Sequence, residues 1–582
     1  MAFAALLPFL PALSGKALDI DDDWYVFDNA DVMRGLSAES FRWALTSLDL
    51  GYWFPATLMS HLVDVSMWGD YVPGHHLTSL LLHVATAAVL YFVLEKATSE
   101  RFAAVGGALL YAVHPTRVEA VAWIAARKDV LCGFFAALTL LAWAHYRTRP
   151  STARYLAFAA AMTLALASKP AAIVLPFALA VASLHWPWKV SLGTLVRELS
   201  PAGLAAAAVA VINLGAEHRL GGLSTTTHLT LGDRVWGVPL NLAMAMRSTL
   251  FPSGLHLAYE RPEVDARGLV LAFMLIGGVS VGAYLARKPT PSLAIGLAWF
   301  TLLLLPTVGL LQVVVQFSAD RYLTLPHLLL LPAVVAAVSN LARGKRRTLA
   351  SMVLGVTLLA LSTASLAQAA TWRDTESVGE QALSVDPNNR FVAFALGQSR
   401  LKNGNIEGAV QMFARVLETH PADGSARSIL AMTLAQHGRI AQAEQVLAEA
   451  PQSARGDPFF LHGSGVVAMA AGRFAEAVET LRLVVAMNLP WLDVHADYAR
   501  ALSQAGLVSE AAVQWEQVTQ SAPRNVEGWL NLGVSYARLE RFAAAAAAFE
   551  RALTLSPGNE RAAQLLRHVR AELEKGAGRD AP

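Results

Sequence analysis

From residue 74 to about 367 the chain alternates apolar runs with short polar loops. The runs fall at 76–95, 102–114, 129–146, 153–168, 171–186, 200–214, 268–286, 293–313, 325–342 and 348–367. A bilayer core takes about 20 helical residues, so the shorter runs are expected to extend into their loops. Residues 2–18 are a further apolar run, short for a first span and interrupted by Pro8 and Pro11; a cleaved signal peptide is the competing reading. The segment 234–251 is more polar and is expected to lie along one membrane face or to re-enter it. This pattern predicts an all-α, polytopic membrane helix bundle with about eleven crossings.

The second half changes period. Gly404, Gly438, Gly472 and Gly506 are 34 residues apart, as are Ala409, Ala443, Ala477, Ala511 and Ala545. Gly397, Ala431, Gly465, Ala499 and Gly533 add a third small-residue series at that period. This is the tetratricopeptide signature: small residues where two helices pack closely, and glycine where the first helix ends. Pro387, Pro421, Pro490, Pro523 and Pro557 are placed to close the second helices, and Glu540 stands where the last turn glycine would be. The expected organisation is a membrane domain over 1–370 and a repeat solenoid over 371–575. The solenoid would hold about five full repeats, a leading half repeat and a capping helix at 560–575, with a disordered tail at 576–582. Such solenoids present a concave surface to a protein or peptide.

Composition supports lipid for the first half. The 582 residues are 55% hydrophobic and 15% charged, against about 25% charged in soluble domains. The net charge of +2 gives no bulk electrostatic case for nucleic acid. A single cysteine, Cys132, excludes an intrachain disulfide framework or thiolate metal site. Lysines and arginines mark the loops at 95–101, 145–154, 189–197, 287–288 and 343–347. The positive-inside rule makes these cytoplasmic. The parity holds if 234–251 does not cross, and everything after 367 then lies outside, as in a bacterial inner membrane with a periplasmic repeat domain.

Three polar clusters remain on the outer side, where ionisable groups beside a membrane call for a functional reading. Asp19, Asp21, Asp22, Asp23 and Asp28 crowd one turn, interleaved with Trp24, Tyr25 and Phe27. The bland reading is a solvated loop. The stretch from His114 to Asp129 contains Glu119 and Trp123, which share a face if it is one helix, followed by Arg127 and Lys128. Its bland reading is an interfacial amphipathic helix. Ser318 to Pro326 contains Asp320, Arg321 and Tyr322, and a snorkelling arginine is the plain alternative. Lys169 at a span end could hold a lipid phosphate or snorkel. His76 and His83 share a helix face, a spacing more typical of buried, hydrogen-bonded histidines than of metal ligands. No phosphate-binding or dinucleotide fingerprint stands in the right context.

In order along the chain come Asp21-Asp-Asp-Trp-Tyr-Val-Phe-Asp-Asn29, Tyr52-Trp-Phe-Pro55 with Asp64, Gly74-His-His76 with His83, His114-Pro and Val118-Glu119, Ala122-Trp-Ile124, Arg127-Lys-Asp129, Ser168-Lys-Pro170 and Ala319-Asp-Arg-Tyr-Leu323, then the repeats. The series resembles the transmembrane and tetratricopeptide repeat-containing glycosyltransferases and their bacterial relatives, which are similar to protein O-mannosyltransferases of the GT-C fold. The resemblance implies a lipid-phosphate sugar donor, transfer on the extracytoplasmic face, and an acidic catalytic residue just after the first span. The acidic pair matches Asp21 and Asp22, and the basic–acidic group matches Arg127, Lys128 and Asp129. Tyr52-Trp-Phe-Pro55 and Thr78-Ser79 depart from the common pattern of the relatives.

The residues can run one reaction. A carboxylate, Asp22 first and Asp21 next, takes the proton of a Ser or Thr hydroxyl attacking the anomeric carbon. Glu119 positions the acceptor or shares the site, where two carboxylates would raise one pKa. Arg321, Arg127, Lys128 and Lys169 are candidates for the polyprenyl-phosphate leaving group. Asp23, His114, Asp129, Asp320, Tyr322 and His76 are further site candidates. Displacement from the opposite face inverts the anomeric centre. The aspartates could hold a hard divalent cation, Mg2+ or Mn2+, although nothing in the sequence requires one. Partners expected are the lipid-linked sugar (probed first as mannose or another hexose), membrane lipids, and an acceptor or envelope protein on the repeats. The rivals are a non-catalytic envelope scaffold, a flippase, and a transferase acting on glycan or lipid.

Overall fold

Proline decides the start of the chain. Ala2–Leu6 is α-helical, and Leu7–Ser14, with Pro8 and Pro11, continues as a 3-10 helix. The 3-10 rise of about 2.0 Å per residue lengthens this short segment. The chain is seen in a computed structural model that describes residues 1–48, 50–185, 190–219, 230–262, 265–286, 288, 290–309, 317–342, 344–489 and 494–579. Among them are helices and one isolated bridge, between Tyr259 and Ser318, and no strand. Contacts divide the chain into two units, Met1–Ser399 and Arg400–Pro582.

In the first unit four helices have the length and apolarity to cross a membrane: Val72–Thr98, Leu192–Ala216, Ala266–Leu285 and Lys345–Thr371. Shorter apolar helices stand at Arg101–Ala112, Thr152–Ser168, Pro291–Leu304 and His327–Leu341. The helices Ala266–Ala286 and Lys345–Thr371 expose Val270, Leu271, Met274, Met352, Val353 and Leu359. Apolar faces of that size are unstable in water and suit lipid. The central core closes around Trp143, Phe158, Met162 and Trp299.

Loops expected on one side meet each other. Glu100 accepts from Arg347 (2.7 Å) and Ser339 (2.5 Å). Glu198 accepts from Arg147 (2.6 Å) and Tyr146 (3.1 Å). Lys189, Arg287 and Arg343, counted among the basic loops, lie outside the described residues. The opposite loops also join. Lys16 N–H donates to the Arg373 carbonyl (2.7 Å), and Asp19 accepts from Ser399 (2.6 Å). The segment 234–251 is the helix Leu231–Leu250, started by a Thr230–Asp233 capping box. Both its ends touch loops of that second side: Arg261 donates to the Asp233 carbonyl (2.8 Å), and His114 Nε2 to the Thr249 carbonyl (3.1 Å).

The second unit is a run of antiparallel helix pairs from Ile406–Thr419 to Val526–Arg538 with Phe542–Leu555, ended by Glu560–Arg579. That last helix covers most of the tail expected at 576–582; residues 580–582, like Pro490, lie outside the described residues. Gly404, Gly438, Gly472 and Gly506 all have φ between 74° and 82°. Their turns need the left-handed region, which glycine enters without steric cost. Glu540 takes the same conformation at φ 58°. Ala409, Ala443, Ala477, Ala511 and Ala545 are fully buried. A Cβ on Gly533 would stand 2.5 Å from the Phe549 ring, so the small-residue series marks true close approach.

Candidate active site

The aspartate turn is one turn of π-helix, Asp23–Phe27, following the apolar start. Asp22 leaves the solvent altogether. Its carboxylate accepts the Leu18 N–H (2.8 Å) and the Ala125 N–H (2.7 Å), stapling the turn to the 115–129 segment. Burial pushes its pKa up to about 7, against the pull of those two hydrogen bonds, and Asp21 and Asp23 add to the rise. Burial rather than a neighbouring Glu119 therefore produces the raised carboxyl expected from sequence. Asp21 is half-buried and receives no side-chain hydrogen bond among the described residues, while Asp28 is exposed. Asp23 is half-buried beside it.

Residues 115–129 are not a single amphipathic helix. Pro115–Arg117 is 3-10, Val118–Ala122 is α-helical, Ile124–Ala126 is 3-10 again, and a long helix begins at Arg127. Trp123 is extended at the break, so it shares no helix face with Glu119. The stretch from Leu110 to Arg127 is buried throughout, which excludes the interfacial reading. The 3-10 turns and the Trp123 break let the backbone N–H of Ala125 point at Asp22.

Glu119 and Trp123 nevertheless meet, through Arg321. Glu119 accepts from the Arg321 guanidinium and from its backbone N–H (2.8 Å). Arg321 lies over the rings of Trp123 (5.0 Å) and Tyr322 (5.2 Å). Burial opposes its charge, but Glu119 outweighs that and holds the guanidinium above its ordinary range. Lys169 pairs with Asp129 and faces the Tyr322 ring at 5.2 Å. Burial lowers the Lys169 pKa despite that pairing. Asp320 accepts from the Tyr259 hydroxyl (2.9 Å); burial, then repulsion from Glu119, hold it well above the carboxylate range. Lys128 donates to the Tyr25 hydroxyl (3.1 Å), sits 4.3 Å from that ring, and feels the charge of Asp21. Among the described residues no carboxylate stands within ion-pair distance of it.

The structure thus gathers Asp21, Asp22, Glu119, Lys128, Asp129, Lys169, Asp320, Arg321 and Tyr322 into one polar cluster. Three candidates fall elsewhere. Arg127 is fully buried, and its guanidinium donates to Ser79 (2.8 Å), Ser60 (3.0 Å), Asp64 (2.7 Å) and the His75 carbonyl (2.6 Å). Those bonds leave it closed to a lipid phosphate. His114 is buried between Thr116 (2.8 Å) and the Thr249 carbonyl. His76 is buried on the helix Val72–Thr98 beside Gly15. Sequence reasoning missed Tyr259 and the buried Arg117, which bonds Thr116 (3.0 Å) and His327 (3.3 Å). Arg117 stood in plain sight in His114-Pro-Thr-Arg117; nothing near Tyr259 marked it.

Residues 50–214 match the dolichyl-phosphate-mannose-protein mannosyltransferase family. That segment holds Glu119, Lys128, Asp129 and Lys169 and stops short of Asp21, Asp22 and Arg321. Residues 400–459 and 497–560 match tetratricopeptide repeat families. The chain is similar to the protein O-mannosyl-transferase Tmtc2 of Drosophila melanogaster, 28% identical over 178 residues, 28% of this chain and 19% of that protein. It is also similar to TMTC1 of Mus musculus, 30% identical over 157 residues, 25% of this chain and 16% of that protein. The match spans less than a fifth of either relative. Among solved structures, the TPR protein YrrB is 17% identical over 32% of this chain and 96% of its own, with a TM-score of 0.26. The chain thus joins a segment similar to this mannosyltransferase family to tetratricopeptide repeats, the combination that its motifs resemble.

Proposed function

We propose that the protein is a membrane glycosyltransferase of GT-C type. It moves a hexose, mannose first among them, from a polyprenyl-phosphate donor to a Ser or Thr hydroxyl of an extracytoplasmic protein, inverting the anomeric centre. The repeats bind the acceptor or a partner. The observation that carries this reading is the polar cluster itself: a half-exposed Asp21 whose charge reaches Lys128, backed by the Glu119–Arg321 and Asp129–Lys169 pairs. Pairing of the basic loops with one another, and of the acidic loops with one another, supports the orientation. Both ends of Leu231–Leu250 touching the acidic side supports the reading that this helix does not cross, and with it about eleven crossings.

Asp21, not Asp22, is the base in this proposal. A base must reach the acceptor hydroxyl, and Asp22 is sealed with both oxygens on backbone N–H groups. Asp22 is the positioning residue that holds the turn. Lys128 contacts the leaving phosphate, where negative charge develops. Arg321 and Lys169 add positive potential from behind their carboxylates, and Arg127 shapes the start of its helix.

The test is sugar transfer by the purified full chain in liposomes, with labelled polyprenyl-phosphate mannose or glucose and a periplasmic protein extract. Wild type is expected to label protein, Asp21→Asn to lose about 10²–10⁴-fold, and Asp22→Asn to retain more activity than Asp21→Asn. Undiminished transfer by Asp21→Asn removes it as base. Label in lipid or polysaccharide moves the acceptor class. Absence of transfer, with equal rescue of a deletion strain by wild type and Asp21→Asn, favours the scaffold.

A further inference from the structure

A second cluster lies behind Arg127 and is used by none of the steps above. His61 and Asp64, three residues apart, share a face of the helix Pro55–Trp68. Gly69 turns the chain at φ 61°, and His75 enters from the next helix, Val72–Thr98. The end of the first helix and the start of the second lie close together: a Cβ on Gly74 would stand 2.4 Å from the Trp68 ring. One ligand atom from each of His61, Asp64 and His75 lies within 4.8 Å of the others, and all three residues are buried.

Three imidazole nitrogens in this cluster lack a hydrogen-bond partner among the described residues: both of His61, and Nδ1 of His75. A buried polar atom left so costs about 1–3 kcal/mol. The tautomer of His75 is fixed. Its Nε2–H donates to the Gly69 carbonyl at 3.0 Å, so Nδ1 carries the lone pair, 3.5 Å from Asp64 Oδ2. Metal-binding histidines are oriented in this way, the far N–H on a backbone carbonyl and the near nitrogen bare. The Asp64 carboxylate is oriented too: Oδ1 accepts from Thr78 (2.8 Å), and Oδ2 from Arg127 (2.7 Å).

We propose that His61, Asp64 and His75 bind a divalent transition-metal ion of the zinc class. Two imidazoles and one carboxylate are the mixture that suits zinc rather than magnesium or calcium. Three protein ligands leave one position for an exogenous ligand. Arg127 stays behind Asp64 as the partner that orients it. Its positive charge opposes the cation, and the lone pairs of the two imidazoles, one from each ring, offset that opposition. The ion ties two consecutive helices together and fixes Asp64, hence Arg127 and the start of the helix that carries Lys128 and Asp129.

The test uses the full chain, purified in detergent with any affinity tag removed, stripped with a chelator and dialysed against zinc. The expected result is about one zinc per chain, with His61→Gln and His75→Gln each losing it and His83→Gln, a buried histidine outside the cluster, keeping it. X-ray absorption at the zinc edge of the wild-type protein should count two imidazole ligands. That measurement stands even if the cluster variants do not fold. A wild type that retains no zinc, a site with any other number of imidazoles, or full occupancy in folded His61→Gln and His75→Gln overturns the proposal.

Discussion

The two units hold their charges in opposite ways. In the repeat unit, ion pairs such as Arg439–Glu407 and Arg473–Glu444 join residues about one repeat apart and lie on the surface. In the membrane unit, Arg321 and Glu119 are 202 residues apart, and both are buried. Surface pairs contribute about 0–1 kcal/mol. A buried pair is costly to break, because the partner left behind keeps its charge without compensation. The repeat unit therefore draws its stability from packing of small residues at a fixed period. The membrane unit uses charge to bring distant loops together at one place.

Glu119→Gln is expected to have the largest effect. It leaves the Arg321 guanidinium buried beside Trp123 without its carboxylate. The expected loss is about 3–5 kcal/mol of local stability, read as faster hydrogen exchange in peptides over 115–129 and 318–326 of the full chain. Arg473→Gln, the matching change in the repeats, should cost less than about 1 kcal/mol. Equal losses at the two sites would end the distinction.

Asp22 gives the next effect, through pH. Its folded pKa, about 7, lies above the ordinary carboxyl value. The folded state then holds the proton more tightly than the unfolded chain. The resulting stability is fully present below about pH 4, and is lost as pH rises through 7. Three pKa units correspond to roughly 4 kcal/mol. The denaturation midpoint of the full chain in detergent should fall across pH 4–7 in wild type. It should be flatter in Asp22→Asn, an isostere of the protonated acid. A profile unchanged by Asp22→Asn would show that the carboxyl does not titrate there.

How much of this was legible depends on the distance between partners. The 34-residue period named the turn glycines, the buried alanines and the exceptional Glu540, because each acts on its own hairpin. The apolar runs marked the membrane unit, and charge separates the basic loops from the acidic ones in the sequence itself. Which charged groups face each other was not legible. Arg127 and Lys128 are adjacent in sequence, yet one is locked on Asp64 and the other faces Tyr25. Asp21 and Asp22 are equally acidic in the sequence, yet one is accessible and the other sealed. The N–H groups of Leu18 and of Ala125, the latter just past the break at Trp123, make that difference. His61 carried no periodic signal, and only the meeting of two helices brings His75 to it and Asp64.

Packing at the alanine positions should give a smaller effect than the charge changes above. Ala477 is fully buried against the core containing Leu481, Leu502 and Trp515. Ala477→Leu inserts three carbons where helices approach closely, at a cost of about 1–3 kcal/mol. Peptides over 460–518 should exchange faster, while those of the membrane unit are unmoved. A neutral substitution would mean that the 34-residue alanine series reflects something other than packing.

The smallest expected effect has the opposite sign. Glu540 holds φ 58° at a turn where four other repeats use glycine. A side chain in the left-handed region costs about 1 kcal/mol or more, and glycine removes that strain while adding freedom to the unfolded chain. Glu540→Gly should therefore stabilise the last hairpin by up to about 1 kcal/mol, slowing exchange over 529–549. The reverse change, Gly472→Glu, should destabilise its hairpin by a similar amount. Opposite signs at equivalent positions would show that the turn conformation is imposed by the repeat and only tolerated by the residue. If Glu540→Gly instead weakens the hairpin, the glutamate side chain contributes a contact that outweighs its backbone strain.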